Sequence, residues 1–326
     1  MSLCCHASTG KAALGNLFDP PQPAADADEI VLLSTRALGT QCDEDRMGER
    51  LICSRYEVNK QGQSSWQVMD WREIPSSTAP HPTLIYVHGN RVWPGRDQTD
   101  GLKVYRSLKS SGQFRQPIRY MIWSWPATPI PGPIKDYRLK ASQTPSVSWQ
   151  LAWFIDRLPA DTQLVLVGYS HGARVACGAM HLLGGGELDG RPLTKRQNPQ
   201  CRPIQVALLA AAYDDDWIEP GSRYGKAIAQ MQQLVVVTNK LDPAMRFYHL
   251  SNGRGRKHAL GKQGVANPGR LGQAAKKITQ LNVTEQVGRS HSLMDYLDDT
   301  EGMVTLWRLI SGALKLPQPD SSVASL

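Results

Sequence analysis

Five short, unbroken apolar runs separated by segments of helix length limit what this chain can fold into: Leu84-Ile85-Tyr86-Val87, Tyr120-Met121-Ile122-Trp123, Leu164-Val165-Leu166-Val167, Val206-Ala207-Leu208-Leu209 and Leu234-Val235-Val236-Val237. A strand with one face in water alternates apolar and polar residues, whereas a run without alternation is buried on both faces. Such strands, joined through helices, predict an α/β fold: a mostly parallel sheet with helices on both faces. Two segments carry the matching helical period. Val147, Leu151, Phe154, Ile155 and Leu158 share one face, as do Met303, Leu306, Trp307, Ile310 and Leu314. These stripes are read as core contacts. Upstream, Ile30 to Arg36, Leu51 to Val58 and Trp66 to Trp71 look like strands separated by polar or Gly-containing turns. They predict an antiparallel meander ahead of the parallel part.

The boundaries follow from where apolar patterning begins and stops. Residues 1–28 read as a flexible, Pro-containing lead, 29–316 as a single domain, and 317–326 as a disordered tail. With 41% apolar and 20% charged residues the balance is that of an ordinary globular protein. No run approaches the roughly 18 consecutive apolar residues of a membrane span. Met1 to Gly10 lack the apolar centre of a signal peptide, so a cytoplasmic location is expected. The six cysteines include no C-x-x-C pair and are expected to be reduced thiols without a zinc or redox task.

The net charge of +8 is local. Between Pro243 and Thr284 stand Arg246, Arg254, Arg256, Lys257, Lys262, Arg270, Lys276 and Lys277, with no Asp or Glu, so this segment carries the whole excess. Its centre, about 251–277, reads as a basic insertion. It is either a solvated loop or a source of attraction for an anionic substrate or acidic surface. Without interleaved aromatic residues or a recognised motif, it does not read as a nucleic-acid site.

Chemistry concentrates at Gly168-Tyr169-Ser170-His171-Gly172, a match to G-x-S-x-G. Its context gives the match weight. The apolar run ends at Gly168, and Ala173-Arg174-Val175-Ala176-Cys177 opens a helix directly after Gly172. A strand turning sharply into a helix at a serine strains that residue, and only small neighbours tolerate the crowding. The hydroxyl is then exposed at the carboxyl edge of the sheet, where ligands bind in open α/β folds. A serine needs a base to act as a nucleophile, and in this arrangement the partners follow in the order serine, acid, histidine. Asp242, just past the run Leu234 to Val237, is the first choice of acid; Asp214, Asp215 and Asp216 are its rivals. Among the later histidines, His249, His258 and His291, the last lies in a short polar loop between the strand-like Ile278 to Val283 and the final helix. That is where the base belongs, whereas His258 reads as solvent-exposed. The backbone N–H of His171 and that of Asn90, in Val87-His88-Gly89-Asn90, are the expected oxyanion donors. The His171 side chain is left to pack or to face solvent, and His88 is read as fixing its loop. Trp125 to Pro133, with four prolines, reads as a stiff loop that walls an apolar pocket together with Trp93 and Ile130, or else as a plain surface loop.

From Ile30 to about Leu297 the chain resembles a group of α/β-hydrolases of unknown function, relatives of esterases and lipases found largely in bacteria. The resemblance rests on Val87-His88-Gly89-Asn90, Trp123-Ser124-Trp125-Pro126, Tyr137 heading a helix and the serine elbow. Further on it rests on Asn239-Lys240-Leu241-Asp242-Pro243-Ala244-Met245 and on Arg270-Leu271-Gly272 ahead of a late histidine. It implies an α/β-hydrolase fold and a triad of Ser170, Asp242 and His291. The family often has an aromatic residue where this chain has Asn90, and the loop Ser251 to Gly269 is longer and more basic than usual. The expectation is a serine hydrolase acting on a small acyl compound, without metal or organic cofactor. An acyltransferase with the same triad and a non-catalytic binding protein on this fold are the alternatives.

Overall fold

The computed structural model describes residues 28–76, 82–198, 204–246, 248 and 257–312. The lead over 1–27, the tail from 317, His249 and residues 251–256 of the basic segment lie outside the described residues. The strands are β1 (Glu29–Ser34), β2 (Ile52–Val58), β3 (Ser64–Met69), β4 (Thr83–Val87), β5 (Arg119–Ser124), β6 (Leu164–Tyr169), β7 (Glu187–Leu188), β8 (Arg191–Pro192), β9 (Ile204–Leu209), β10 (Met231–Thr238) and β11 (Ile278–Asn282). Long helices are α1 (Arg96–Ser110), α2 (Pro133–Arg157), α3 (His171–Leu183) and α4 (Thr300–Ser311). Nine strands make one sheet in the order β11-β10-β9-β6-β4-β5-β1-β2-β3.

The five apolar runs are β4, β5, β6, β9 and β10, each parallel to its neighbours. Successive side chains on a strand point to opposite faces, and here both faces are filled. Ile85, Val87, Leu166, Leu208 and Val236 join one core with helices α2 and α3. Leu84, Tyr86, Val165, Val167, Leu209 and Val235 join another with α1 and α4. That double burial is what an unalternating run requires. Strand β11 adds in parallel beside β10.

One expectation is borne out and extended, and one needs correction. The meander pairs as expected, β1 with β2 and β2 with β3, both antiparallel. Yet β1 also lies parallel to β5 within the main sheet, with Ile30 to Ser34 buried. Its Ile-Val-Leu-Leu core is itself an unbroken apolar run, so burial on both faces places it inside the sheet. The exposed edge falls to β3, whose Ser64, Ser65 and Gln67 are polar. Secondly, α2 starts at Pro133 rather than near Tyr137. Proline suits the first helical position, where its missing N–H costs nothing, and Gly132 at φ 86° turns the chain into it. Among the described residues no helix is long and apolar enough to cross a membrane.

Register gathers the strand ends. Val87 is level with Gly168 and Trp123, Tyr169 with Leu209, and Thr238 with Asn282. The loops carrying Asn90, Ser170, Asp242 and His291 therefore leave the same edge of the sheet.

Candidate active site

The elbow is built from backbone geometry. Ser170 sits between β6 and α3 at φ 54°, ψ −116°, a region that costs a residue with a side chain of order 1–3 kcal/mol. Bonds to its backbone hold it there: its N–H donates to Leu209 O at 2.9 Å, and its carbonyl accepts from Ala173 N at 3.1 Å and Ala212 N at 3.3 Å. The small neighbours are required by contact. A Cβ on Gly172 would press on the backbone carbonyls of Val87 and His88, and one on Gly168 would come within 2.8 Å of Ala173 N. Helix α3 thus packs directly against the ends of β4 and β6, as the motif implies.

Around the serine, the structure brings together the three side chains expected from the sequence. Ser170 Oγ lies 3.0 Å from His291 Nε2, and His291 Nδ1 lies 2.6 Å from Asp242 Oδ2. Asp242 is fully buried while His291 is partly open. A carboxylate only accepts, so Nδ1 carries the proton, and Nε2 is left to accept from the serine hydroxyl.

Local sequence explains why these groups meet. Asp242 precedes the short helix Pro243–Arg246, and its Oδ1 accepts from Ala244 N at 2.9 Å and Met245 N at 3.1 Å. That capping leaves Oδ2 for His291 and for the Tyr296 hydroxyl at 3.3 Å. Burial, reinforced by the charge of Asp242, raises the pKa of the Tyr296 hydroxyl well above its ordinary value, so it stays a donor. The histidine loop is tied down along its length. Asn239 Nδ2 donates to Gly288 O at 2.8 Å and Ser290 O at 3.2 Å, Tyr169 OH donates to His291 O, and Ser292 caps Leu293–Asp298. The sequence does not mark Asn239, Tyr169 and Tyr296 as site residues, because each acts through a bond to a segment distant in the chain, Tyr169 from the variable position of the motif itself.

Two of the rival acids are engaged elsewhere. Asp214 accepts from Tyr248 OH at 2.7 Å and Asp216 pairs with Lys257, while Asp215 lies in the same turn. His258 is exposed, as expected. The described part of the basic segment is not a freely solvated loop. It folds back on the acidic turn: Lys257 pairs with Asp216, and Arg270 lies 2.8 Å from Glu219. Lys277 donates to Met231 O at 2.8 Å.

On the oxyanion side, His171 is the first residue of α3 and Asn90 follows β4 by three positions. Neither backbone N–H donates a hydrogen bond among the described residues. A Cβ on Gly89 would stand 3.2 Å from Ser170 Cβ, so this loop runs against the nucleophile. The His171 side chain is buried and meets the Tyr137 ring edge-on at 4.4 Å. Burial, aided by Arg174, holds its pKa well below the ordinary histidine value. His88 fixes the loop, as read from the sequence. Its Nδ1 donates to Gly89 O at 2.8 Å, its Nε2 accepts from Trp125 N at 3.2 Å, and its ring stacks on Trp125. Burial lowers its pKa to about 4, so the ring is neutral.

A mostly parallel sheet covered on both faces, with a strained serine between strand and helix and an acid and a histidine on later loops, is the α/β-hydrolase arrangement. No known family profile matches the sequence, and no curated protein matches it. Among solved structures the chain is similar to carboxyl esterase 2 from the mycorrhizal fungus Tuber melanosporum, with 15% identity, 81% of this chain and 88% of that one covered, and a TM-score of 0.39. It is similar to esterase B from Lactobacillus rhamnosis at 12% identity, with 88% and 89% covered and a TM-score of 0.41. A lipase/esterase from Lactobacillus plantarum aligns at 15% identity over 82% and 95%, with a TM-score of 0.39.

Proposed function

We propose that this chain is a serine hydrolase that cleaves a small carboxylic ester or related acyl compound by two-step acyl transfer. The observation that carries the reading is the unbroken bonded line from Ser170 Oγ through both ring nitrogens of His291 to Asp242, at 3.0 Å and 2.6 Å. Ser170 attacks the substrate carbonyl while His291 Nε2 takes its proton. Asp242 holds the ring in the required tautomer and stabilises the imidazolium that forms. The backbone N–H groups of His171 and Asn90 receive the oxyanion. His291 then returns the proton to the leaving alcohol, and water attacks the acyl-enzyme with His291 again as base. Ester in preference to amide is an analogy with other proteins of this fold. The pocket for the acyl part is proposed at Trp93 and the Trp125 to Pro133 loop.

Hydrolysis of p-nitrophenyl butyrate by the wild-type chain, measured beside Ser170→Ala and His291→Ala, tests the reading. The expected loss of kcat is at least about 10⁴-fold in either variant. Turnover by Ser170→Ala within tenfold of wild type would overturn it.

A further inference from the structure

The loop from His88 to Val92 carries the Asn90 N–H, and its two ends are fastened differently from its middle. At the start, the His88 ring bonds Gly89 O and Trp125 N. At the end, Val92 N donates to Ala127 O at 3.0 Å, and Arg36 donates to Val92 O at 2.9 Å. The middle is held by one carboxylate on a different element, Asp136 in the first turns of α2. Asn90 Nδ2 donates to its Oδ2 at 3.0 Å, and Arg91 NH1 donates to the same oxygen at 3.2 Å. Its other oxygen accepts from Ile130 N at 3.0 Å, within the proline-rich loop. The Asp136 side chain is completely buried, whereas that of Arg91 is half exposed.

The middle of this loop would not keep its shape unaided. Arg91 adopts φ 60°, a left-handed conformation that residues with a Cβ avoid. The bonds from Asn90 and Arg91 to a fixed anion offset that cost. They also set where the Asn90 N–H points, two residues beyond a histidine that is itself immobilised. Near the N-terminus of α2, a carboxylate is further favoured by the helix dipole, which keeps Asp136 itself in place.

We infer that Asp136 is a positioning residue: it acts through Asn90 and Arg91 to aim the second oxyanion donor, and through Ile130 to lock the proline-rich loop to the same frame. This rests on the acyl-transfer reading. Asp136 touches no reacting atom; its effect is on the geometry available to the transition state, where a misplacement of about 1 Å costs on the order of 100-fold in rate.

The test compares wild type, Asp136→Asn, Asn90→Ala and the double variant. Asp136→Asn keeps the volume but leaves one acceptor oxygen, so it cannot serve both the Asn90–Arg91 pair and the Ile130 N–H. Asn90→Ala removes the clamp and keeps the backbone N–H. Readouts are kcat and KM for p-nitrophenyl butyrate, inhibition by an alkyl boronic acid that mimics the tetrahedral intermediate, and the thermal midpoint. Expected for Asp136→Asn is a fall in kcat of roughly 10- to 100-fold, with KM within about threefold and boronate affinity falling by the same factor as kcat. Asn90→Ala is expected to lose kcat in the same sense, and the double variant to lie within about twofold of the worse single variant, since the bond that Asn90→Ala removes is one of those that Asp136→Asn disturbs. A lowered midpoint with unchanged kcat and boronate affinity, in Asp136→Asn or, should that variant not fold, in Asn90→Ala, would overturn the inference. So would losses that multiply in the double variant. Wild-type protein that turns over ester while both single variants match it removes only the role of Asp136. Wild-type protein without esterase activity removes the acyl-transfer reading and this inference with it.

Discussion

Replacing Gly172 by alanine perturbs the elbow at its tightest point. The added Cβ would lie 2.7 Å from both the carbonyl carbon of Val87 and the carbonyl oxygen of His88, with Val87 O nearer still. Non-bonded carbon atoms settle at about 3.5–4.0 Å, and the obstructing atoms are backbone, so no rotamer change relieves the clash. Helix α3 must retreat from β4 by roughly 1 Å. Overpacking of this kind costs about 1–3 kcal/mol of stability. The displaced helix start also carries the His171 N–H, so kcat/KM is expected to fall by about 100-fold. The assay is chemical denaturation together with ester kinetics, with Gly269→Ala as reference. A Cβ there meets nothing within 4 Å, and its stability is expected within about 0.5 kcal/mol of wild type. Gly172→Ala with wild-type stability and wild-type kcat/KM would refute the claim that the elbow is set by backbone contact.

Three further perturbations have definite outcomes. Asp242→Asn turns an acceptor of the His291 Nδ1 proton into an amide that can favour the wrong tautomer, so kcat for ester is expected to fall by about 10³- to 10⁴-fold with the fold retained by circular dichroism. Tyr296→Phe removes one donor to Asp242 and should lower kcat by only about 3- to 10-fold, the scale of one hydrogen bond of roughly 1 kcal/mol. His88 is neutral in the fold with its pKa lowered to about 4, against about 6.5 in an unfolded chain. Unfolding therefore takes up a proton between those values, and the contribution of His88 to stability is full above about pH 6.5 and lost as pH falls toward 4. Denaturation at pH 7 and pH 5 should show wild type losing about 2 kcal/mol more than His88→Gln over that interval.

Much of the architecture was legible because burial on both faces leaves a mark that no surface strand carries: each of the five unbroken runs became a parallel strand. The same rule, applied to Ile30 to Leu33, would have placed β1 inside the sheet, but its position ahead of two polar, alternating segments made all three look like one meander. The first turn of helix α2 is not legible in the sequence because Pro129, Pro131 and Pro133 together suggest a single loop, although the last of them suits a first helical position. Within the site, Ser170 announced itself through flanking glycines, and Asp242 and His291 through chain order and strand ends. Asp136, Tyr169, Asn239 and Tyr296 did not, because they reach the centre through contacts between elements far apart in sequence. The charge of the basic segment was visible from its composition. That Asp216 and Glu219 pair with Lys257 and Arg270 depends on packing that composition does not encode.

Covalent capture addresses the nucleophile most directly. Intact protein is treated with a fluorophosphonate, and the adduct is located by peptide mass spectrometry in wild type, Ser170→Ala and His291→Ala. A single adduct on the Ser170 peptide is expected in wild type, none in Ser170→Ala, and labelling slowed by about 10³-fold or more in His291→Ala, since the hydroxyl is reactive only beside its base. Equal labelling of wild type and Ser170→Ala, or an adduct on another residue, would contradict the account.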